Sequence, residues 1–207
     1  MTTKLSQERS VPFPNTRFDV VGMAASAGGL SALTKVLSPL PAAFPCAIVI
    51  VQHVDPNRRS LMAEILSRST RLSVKQAEGG DKIYPGNVYI APPDQHVLVS
   101  PDGSISLSKT ELVHYVRPSA DQLFESLASS FKERCLVVVL TGTGEDGNHG
   151  VEAVKKVGGM VVVQDEGTSE YFGMPRAAIQ TGCVDRILPI GDIASFLIES
   201  TRGGDKD

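Results

Sequence analysis

The chain has no tryptophan, only 5% aromatic residues and three cysteines in 207 residues, and it carries only a small excess of acidic over basic residues. Each shortage removes a class of protein. Cys46, Cys135 and Cys183 lie in or beside apolar stretches without metal-ligand spacing, and an odd number leaves one thiol unpaired in any disulfide scheme. They read as reduced core residues of a cytoplasmic protein, and no metal site is expected. A formal charge of -3, with no Lys/Arg cluster interleaved with aromatics, argues against nucleic acid as a partner. The longest apolar runs are strand-length, and residues 1–17 are polar with two prolines, so neither membrane insertion nor an export signal is expected.

What is present is an ordinary apolar complement, 42% hydrophobic against 21% charged, enough for one large core. Runs at 18–22, 47–51, 135–140 and 159–164 are nearly continuous in apolar residues, as strands covered on both faces of a parallel sheet would be. Segments 29–37, 61–68, 120–131, 151–157 and 193–199 repeat apolar residues at three- and four-residue spacing and read as helices. The alternation predicts an α/β fold: a doubly wound, mostly parallel sheet with helices on both faces. Residues 87–108, three short alternating runs joined by Pro/Asp/Gly turns, predict an antiparallel ribbon at one edge. One domain is expected over residues 18–200, between a flexible segment 1–17 and a flexible tail 201–207.

Ligands and chemistry collect at the carboxyl ends of such strands. Three reactive side chains fall there: Ser26 after the first run, His53 after the second and Asp146 in the loop after 135–140. Serine needs a base to take its proton, and the base needs a carboxylate to fix its tautomer, so these are the materials of a Ser-His-Asp triad. Taken singly, each has a plainer reading. Ser26 lies in a small-residue turn that equally suits a phosphate, His53 can be a strand-end residue, and Asp146 can N-cap the helix beginning near Asn148. His96, His114 and His149 are rival bases. Residues 142–147 spell G-x-G-x-x-G, a dinucleotide pattern, with Asp165 after the next strand. Glu145 and Asp146 would put two carboxylates where a pyrophosphate must lie, which argues against it.

The motifs Ala25-Ser26-Ala27-Gly28-Gly29, Gln52-His53, Pro85-Gly86-Asn87-Val88-Tyr89-Ile90-Ala91-Pro92, Arg117-Pro118-Ser119, Leu140-Thr141-Gly142-Thr143-Gly144-Glu145-Asp146-Gly147 and Phe172-Gly173-Met174-Pro175-Arg176 occur in that order. Together they resemble the catalytic domain of chemotaxis-type protein-glutamate methylesterases. The resemblance implies Ser26 as nucleophile, His53 as general base and Asp146 as its orienting carboxylate. It implies hydrolysis of glutamate γ-methyl esters on the cytoplasmic helices of a methylated chemoreceptor, with deamidation of receptor glutamines, and no cofactor. Oxyanion donors are expected in the active-site loops at Ala27, Thr143 and Gly144. Arg117, Met174 and Arg176 are substrate-binding candidates. Oligomeric state is left open.

The chain departs from the family's usual pattern at three positions. Ala24 stands for a glycine, Ala27 for a threonine and Thr143 for a methionine. Ala24 would crowd the turn if its backbone required a positive φ, and Ala27 lacks a hydroxyl that could orient His53. Many members carry a receiver domain ahead of the esterase domain, whereas only about a linker's length precedes residue 18. An esterase without a receiver is therefore expected, the alternative being a catalytically weak relative that serves as a receptor-binding signalling module.

Overall fold

The computed structural model describes residues 16–55 and 60–201. Of the segments expected to be flexible, 1–15 and 202–207 lie outside the described residues.

The most apolar runs become the middle of the sheet. Strands β1 (Val20–Ala25), β2 (Ala47–Gln52) and β7 (Cys135–Val139) are buried at every position, and β1 lies between β2 and β7. Strands β3 (Ser73–Gln76), β4 (Asn87–Ile90), β8 (Met160–Gln164) and β9 (Arg186–Leu188) complete a seven-stranded sheet in the order β3-β4-β2-β1-β7-β8-β9. All its pairings are parallel. Alternate side chains feed two cores. Val20, Val49 and Val137 face helices α3 (Ala120–Phe131) and α4 (Asn148–Lys156); Val21, Ile48 and Val138 face α1 (Gly29–Leu37) and α6 (Ile190–Thr201). The remaining helices are α2 (Met62–Ser67) and α5 (Gly173–Gln180). The doubly wound architecture expected from the sequence is the one observed.

The ribbon is smaller than expected. Asn87–Ile90 belongs to the central sheet, where β4 pairs in parallel with both β2 and β3. Val88 and Ile90 then enter one core and Tyr89 the other. Among the described strands, only β5 (His96–Val99) and β6 (Ile105–Ser108) pair antiparallel, as a separate two-stranded sheet. The ribbon is fastened to α3: Val99 N–H donates to Ser126 Oγ at 3.1 Å, and Ser130 Oγ donates to Val99 O at 2.7 Å. A short apolar run has the same look in either setting, so the sequence pattern could not separate them.

Gly22 sets how closely α3 crosses the sheet. A Cβ there would stand 2.7 Å from Leu127 Cδ1 and 3.2 Å from Phe124. That close approach brings the N-terminus of α3 over the loop that follows β7.

Candidate active site

The register of β1 and β2 pairs Ala25 with Gln52, so Ser26 and His53 are the next residues beyond two adjacent strand ends, which lie about 4.8 Å apart. The turn at Ser26 is pinned at both backbone atoms. Ser26 N–H donates to Thr141 O at 3.0 Å, and Ser26 O accepts from Gly29 N at 2.9 Å and from Gln52 Nε2 at 2.7 Å. The positive φ this turn requires falls on Gly28, at 76°, where a side chain would also strike Glu170. Ala24 remains inside β1, away from the positive-φ positions, and does not crowd the turn.

His53 N–H donates to Ala25 O at 3.1 Å, and its ring Nε2 lies 2.8 Å from Asp146 Oδ2. Asp146 is 4% exposed. Three further donors converge on its carboxylate: Ser119 Oγ at 2.7 Å, Ala120 N at 2.6 Å and Asp121 N at 3.2 Å. Burial alone would raise its pKa, but the hydrogen bonds from His53, Ser119 and Ala120 hold it below the ordinary carboxylate value. An ionised Asp146 can only accept, so the proton on the His53 ring resides on Nε2 and the lone pair on Nδ1.

Asp146 does sit at a helix N-terminus, but not that of the helix it precedes. Gly147 occupies the N-cap of α4, at φ 108°, while Asp146 reaches across to the first turn of α3. Ser119, the N-cap of α3, makes no capping bond to its own helix because its hydroxyl is given to Asp146. The amides at that end and the helix dipole both favour an anion there.

A second carboxylate lies beside the first. Asp121 Oδ1 accepts from Gly150 N at 2.8 Å, and its Oδ2 is 3.2 Å from His114 Nε2. Burial above all, with the neighbouring Asp146 charge adding to it, pushes the Asp121 carboxyl up from its ordinary value. The two environments drive the two acids in opposite directions, Asp121 up and Asp146 down, so Asp146 is the one that holds its charge more readily. His114 stacks on His149 with ring centroids 5.8 Å apart. Among the rival bases, His96 is fully buried, accepting from Ser119 N at Nδ1 and facing Glu111 O with Nε2, so it braces the start of α3.

The loops around Ser26, His53 and Asp146 supply free donors and little else that is uncommitted. Among the described residues, the amides of Ala27, Gly28, Thr143 and Gly144 have no hydrogen-bond partner. Thr141 binds the two loops together, its hydroxyl donating to Ala27 O at 3.1 Å and accepting from Tyr171 N at 2.9 Å. Ser26 lines a cavity of about 640 Å³ with Gly28, Gly29, Leu30, Gln52 and Ile65. His53 lines a smaller one of about 160 Å³ with Leu112, Tyr115 and Arg117. Arg117 commits its guanidinium to Asp94 Oδ1, at 3.0 and 2.6 Å, and to the carbonyls of Lys109 and Thr110. Met174 is buried, with its sulfur packed where a Gly142 side chain would be. Arg176 is exposed, with its guanidinium 5.5 Å from the Phe172 ring centre. No group of three metal-ligating side chains occurs among the described residues. No described helix is long and apolar enough to cross a membrane.

Sequence reasoning assigned no role to Ser119, Gln52 or Thr141, all of which hold this site. Ser119 carried a signal, a serine directly before a helical pattern. The other two act through tertiary contacts and, beyond their places in the ordered motifs, carried none.

Comparisons with known proteins point one way. The family model described as CheB methylesterase matches residues 21–197. A protein-glutamate methylesterase/protein-glutamine glutaminase of Anaeromyxobacter dehalogenans is 42% identical over 193 residues, covering 93% of this chain and 56% of its own length. The protein-glutamate methylesterase FrzG of Myxococcus xanthus is 39% identical, covering 90% and 56%. The crystal structure of the Thermotoga maritima CheB methylesterase catalytic domain superposes with a TM-score of 0.84 at 37% identity, covering 88% of this chain and 98% of that one. The chain thus spans about half the length of the curated relatives it matches and nearly all of a catalytic domain. On these matches, the chain belongs to the CheB methylesterase family.

Proposed function

We propose that this chain is a serine esterase that hydrolyses glutamate γ-methyl esters on the cytoplasmic helices of chemoreceptors and deamidates receptor glutamines by the same route. The observation that carries this reading is the 2.8 Å bond from His53 Nε2 to the buried Asp146, beside the Ser26 turn. Its neighbours bear names that join the two activities, methylesterase and glutaminase. Both reactions are acyl transfers from a glutamyl side chain and differ only in the leaving group.

The steps follow from the proton inventory. With Nε2–H committed to Asp146, Nδ1 is the nitrogen available to Ser26. Nδ1 takes the hydroxyl proton as Oγ attacks the ester carbonyl, and Asp146 stabilises the imidazolium that forms. The carbonyl oxygen becomes an oxyanion, for which the unpartnered amides of Ala27, Gly28, Thr143 and Gly144 are the available donors. These are backbone groups, so Ala27 and Thr143 can supply them despite departing from the usual side chains. Collapse of the intermediate breaks the C–O bond, Nδ1–H protonates the methoxide, and methanol leaves. Water then gives its proton to Nδ1 and attacks the glutamyl-Ser26 ester; the acyl C–Oγ bond breaks, Nδ1–H returns its proton to Ser26 Oγ, and the glutamate is freed. A glutamine substrate follows the same path and releases ammonia. Arg176, exposed near Met174, is proposed to face the acidic substrate helix, while Arg117 shapes the cavity beside His53.

The test is methanol release from a methylated chemoreceptor cytoplasmic fragment by the wild type and by Ser26→Ala. Release by the wild type that Ser26→Ala abolishes is the expected outcome. No release by folded wild-type protein, or undiminished release by the variant, overturns the reading.

A further inference from the structure

Gln52 is 6% exposed, at the last paired position of β2, and both hydrogens of its side-chain amide are used. Nε2 donates to Ser26 O at 2.7 Å and to His53 O at 3.0 Å. One nitrogen thus joins the backbone of the nucleophile to the backbone of the base across two strands. The orientation is fixed chemically, because turning the amide over would set its oxygen against two carbonyl oxygens. The acceptor at the other end, Oε1, is buried with no partner. It faces Gly29, where a Cβ would lie 1.9 Å away. An unsatisfied buried oxygen is uncommon in a side chain that merely fills space, and here it accompanies two short bonds to functional residues.

From this geometry we propose that Gln52 is a positioning residue for the reaction, holding Ser26 Oγ and His53 Nδ1 in mutual register through their carbonyls. The proposal rests on the serine-esterase reading above. The other bond to Ser26 O comes from Gly29 N, within its own turn, so Gln52 is what ties that carbonyl to the end of β2. Gly29 is required on the same account: any side chain there would push the amide off both carbonyls. Gln52 touches no reacting atom. Its effect is on alignment, and a misplacement of about 1 Å at a reacting pair lowers a rate by about 10²-fold.

The experiment measures kcat and KM for a chromogenic ester, together with the rate of fluorophosphonate labelling, in wild type, Gln52→Met and Gln52→Glu, each checked for folding by thermal unfolding. Gln52→Met keeps the length and removes the donor; kcat and labelling are expected to fall together by about 10²-fold, with KM within about twofold. Gln52→Glu keeps the shape more closely still and guards against misfolding of the methionine variant. Its carboxylate has no hydrogen to offer until protonated, so its kcat relative to wild type should recover as pH falls. A folded variant with kcat within about threefold of wild type overturns the proposal, as does a loss confined to KM or a Gln52→Glu ratio independent of pH. A wild type that neither turns over the ester nor takes the label sinks the esterase reading and this proposal together, whereas an active wild type matched by its Gln52 variants sinks this one alone.

Discussion

Asp146→Asn keeps the shape of the buried carboxylate and removes its charge, and the four bonds around it determine how the site responds. Oδ2 accepts from His53 at 2.8 Å and Ala120 at 2.6 Å, while Oδ1 accepts from Ser119 at 2.7 Å and Asp121 at 3.2 Å. An asparagine must put its NH₂ at one of these positions. At Oδ2 it would oppose the Ala120 amide and force the imidazole to accept, moving the ring proton to Nδ1. At Oδ1 the Ser119 hydroxyl can turn and accept, and only the longest bond, from Asp121, is lost. One orphaned buried amide costs about 1–3 kcal/mol, and the first arrangement adds a reversed imidazole to that cost, so the second wins. His53 therefore keeps its tautomer, and the rate loss comes from the missing charge. A carboxylate about 4 Å from an imidazolium charge contributes about 4 kcal/mol at an effective dielectric of about 20, or about 10³-fold in kcat. Methanol-release kinetics and imidazole nitrogen NMR of the variant measure both parts. A kcat within about tenfold of wild type, or a resting ring proton on Nδ1, is incompatible with this electrostatic origin of the loss.

Because the folded pKa of Asp146 lies below the ordinary 3.8, its contribution to stability is fully present above that value and is lost as pH falls through the lower folded one; acid unfolding of Asp146→Asn should show a shallower pH dependence in that window. Ser119→Ala removes a buried donor to a charged acceptor and should cost about 1.5–3 kcal/mol in denaturant unfolding, with a loss below about 0.5 kcal/mol counting against the network. Burial, reinforced for Cys46 by Asp19, pushes the Cys46 and Cys135 thiols up to about 12, so a thiol reagent at neutral pH should modify the half-buried Cys183 alone in native protein.

The elements that the sequence made legible are the central strands, buried at every position, and the helices that turn one continuous apolar stripe to the sheet. Residues 29–37 and 120–131 form helices at the expected bounds, and the runs at 47–51 and 135–140 are central strands displaced by a residue at most. β3 and β9 escaped notice because they are short outer strands with half-exposed, mixed side chains, which lack the apolar signal of the centre. In the site, Ser26, His53 and Asp146 could be singled out because strand ends collect chemistry in this class of sheet. Their plainer readings could not be dismissed from sequence, and that of Asp146 was half right: it does meet a helix N-terminus, but one delivered from 25 residues upstream by the packing of Phe124 against Gly150. Gln52 is the counterpart case. Nothing in a glutamine at the end of an apolar run announces that its amide will span two carbonyls, because the second carbonyl belongs to the neighbouring strand.

All of the proposed chemistry depends on Ser26 being the nucleophile and His53 its base. Labelling with a fluorophosphonate and peptide mapping of the adduct puts both assignments to the test in one measurement. One adduct per chain is expected, on the peptide that contains Ser26, absent in Ser26→Ala and formed at least about 10²-fold more slowly in His53→Ala. An adduct on any other residue, or labelling whose rate is unchanged by the loss of His53, would contradict these roles.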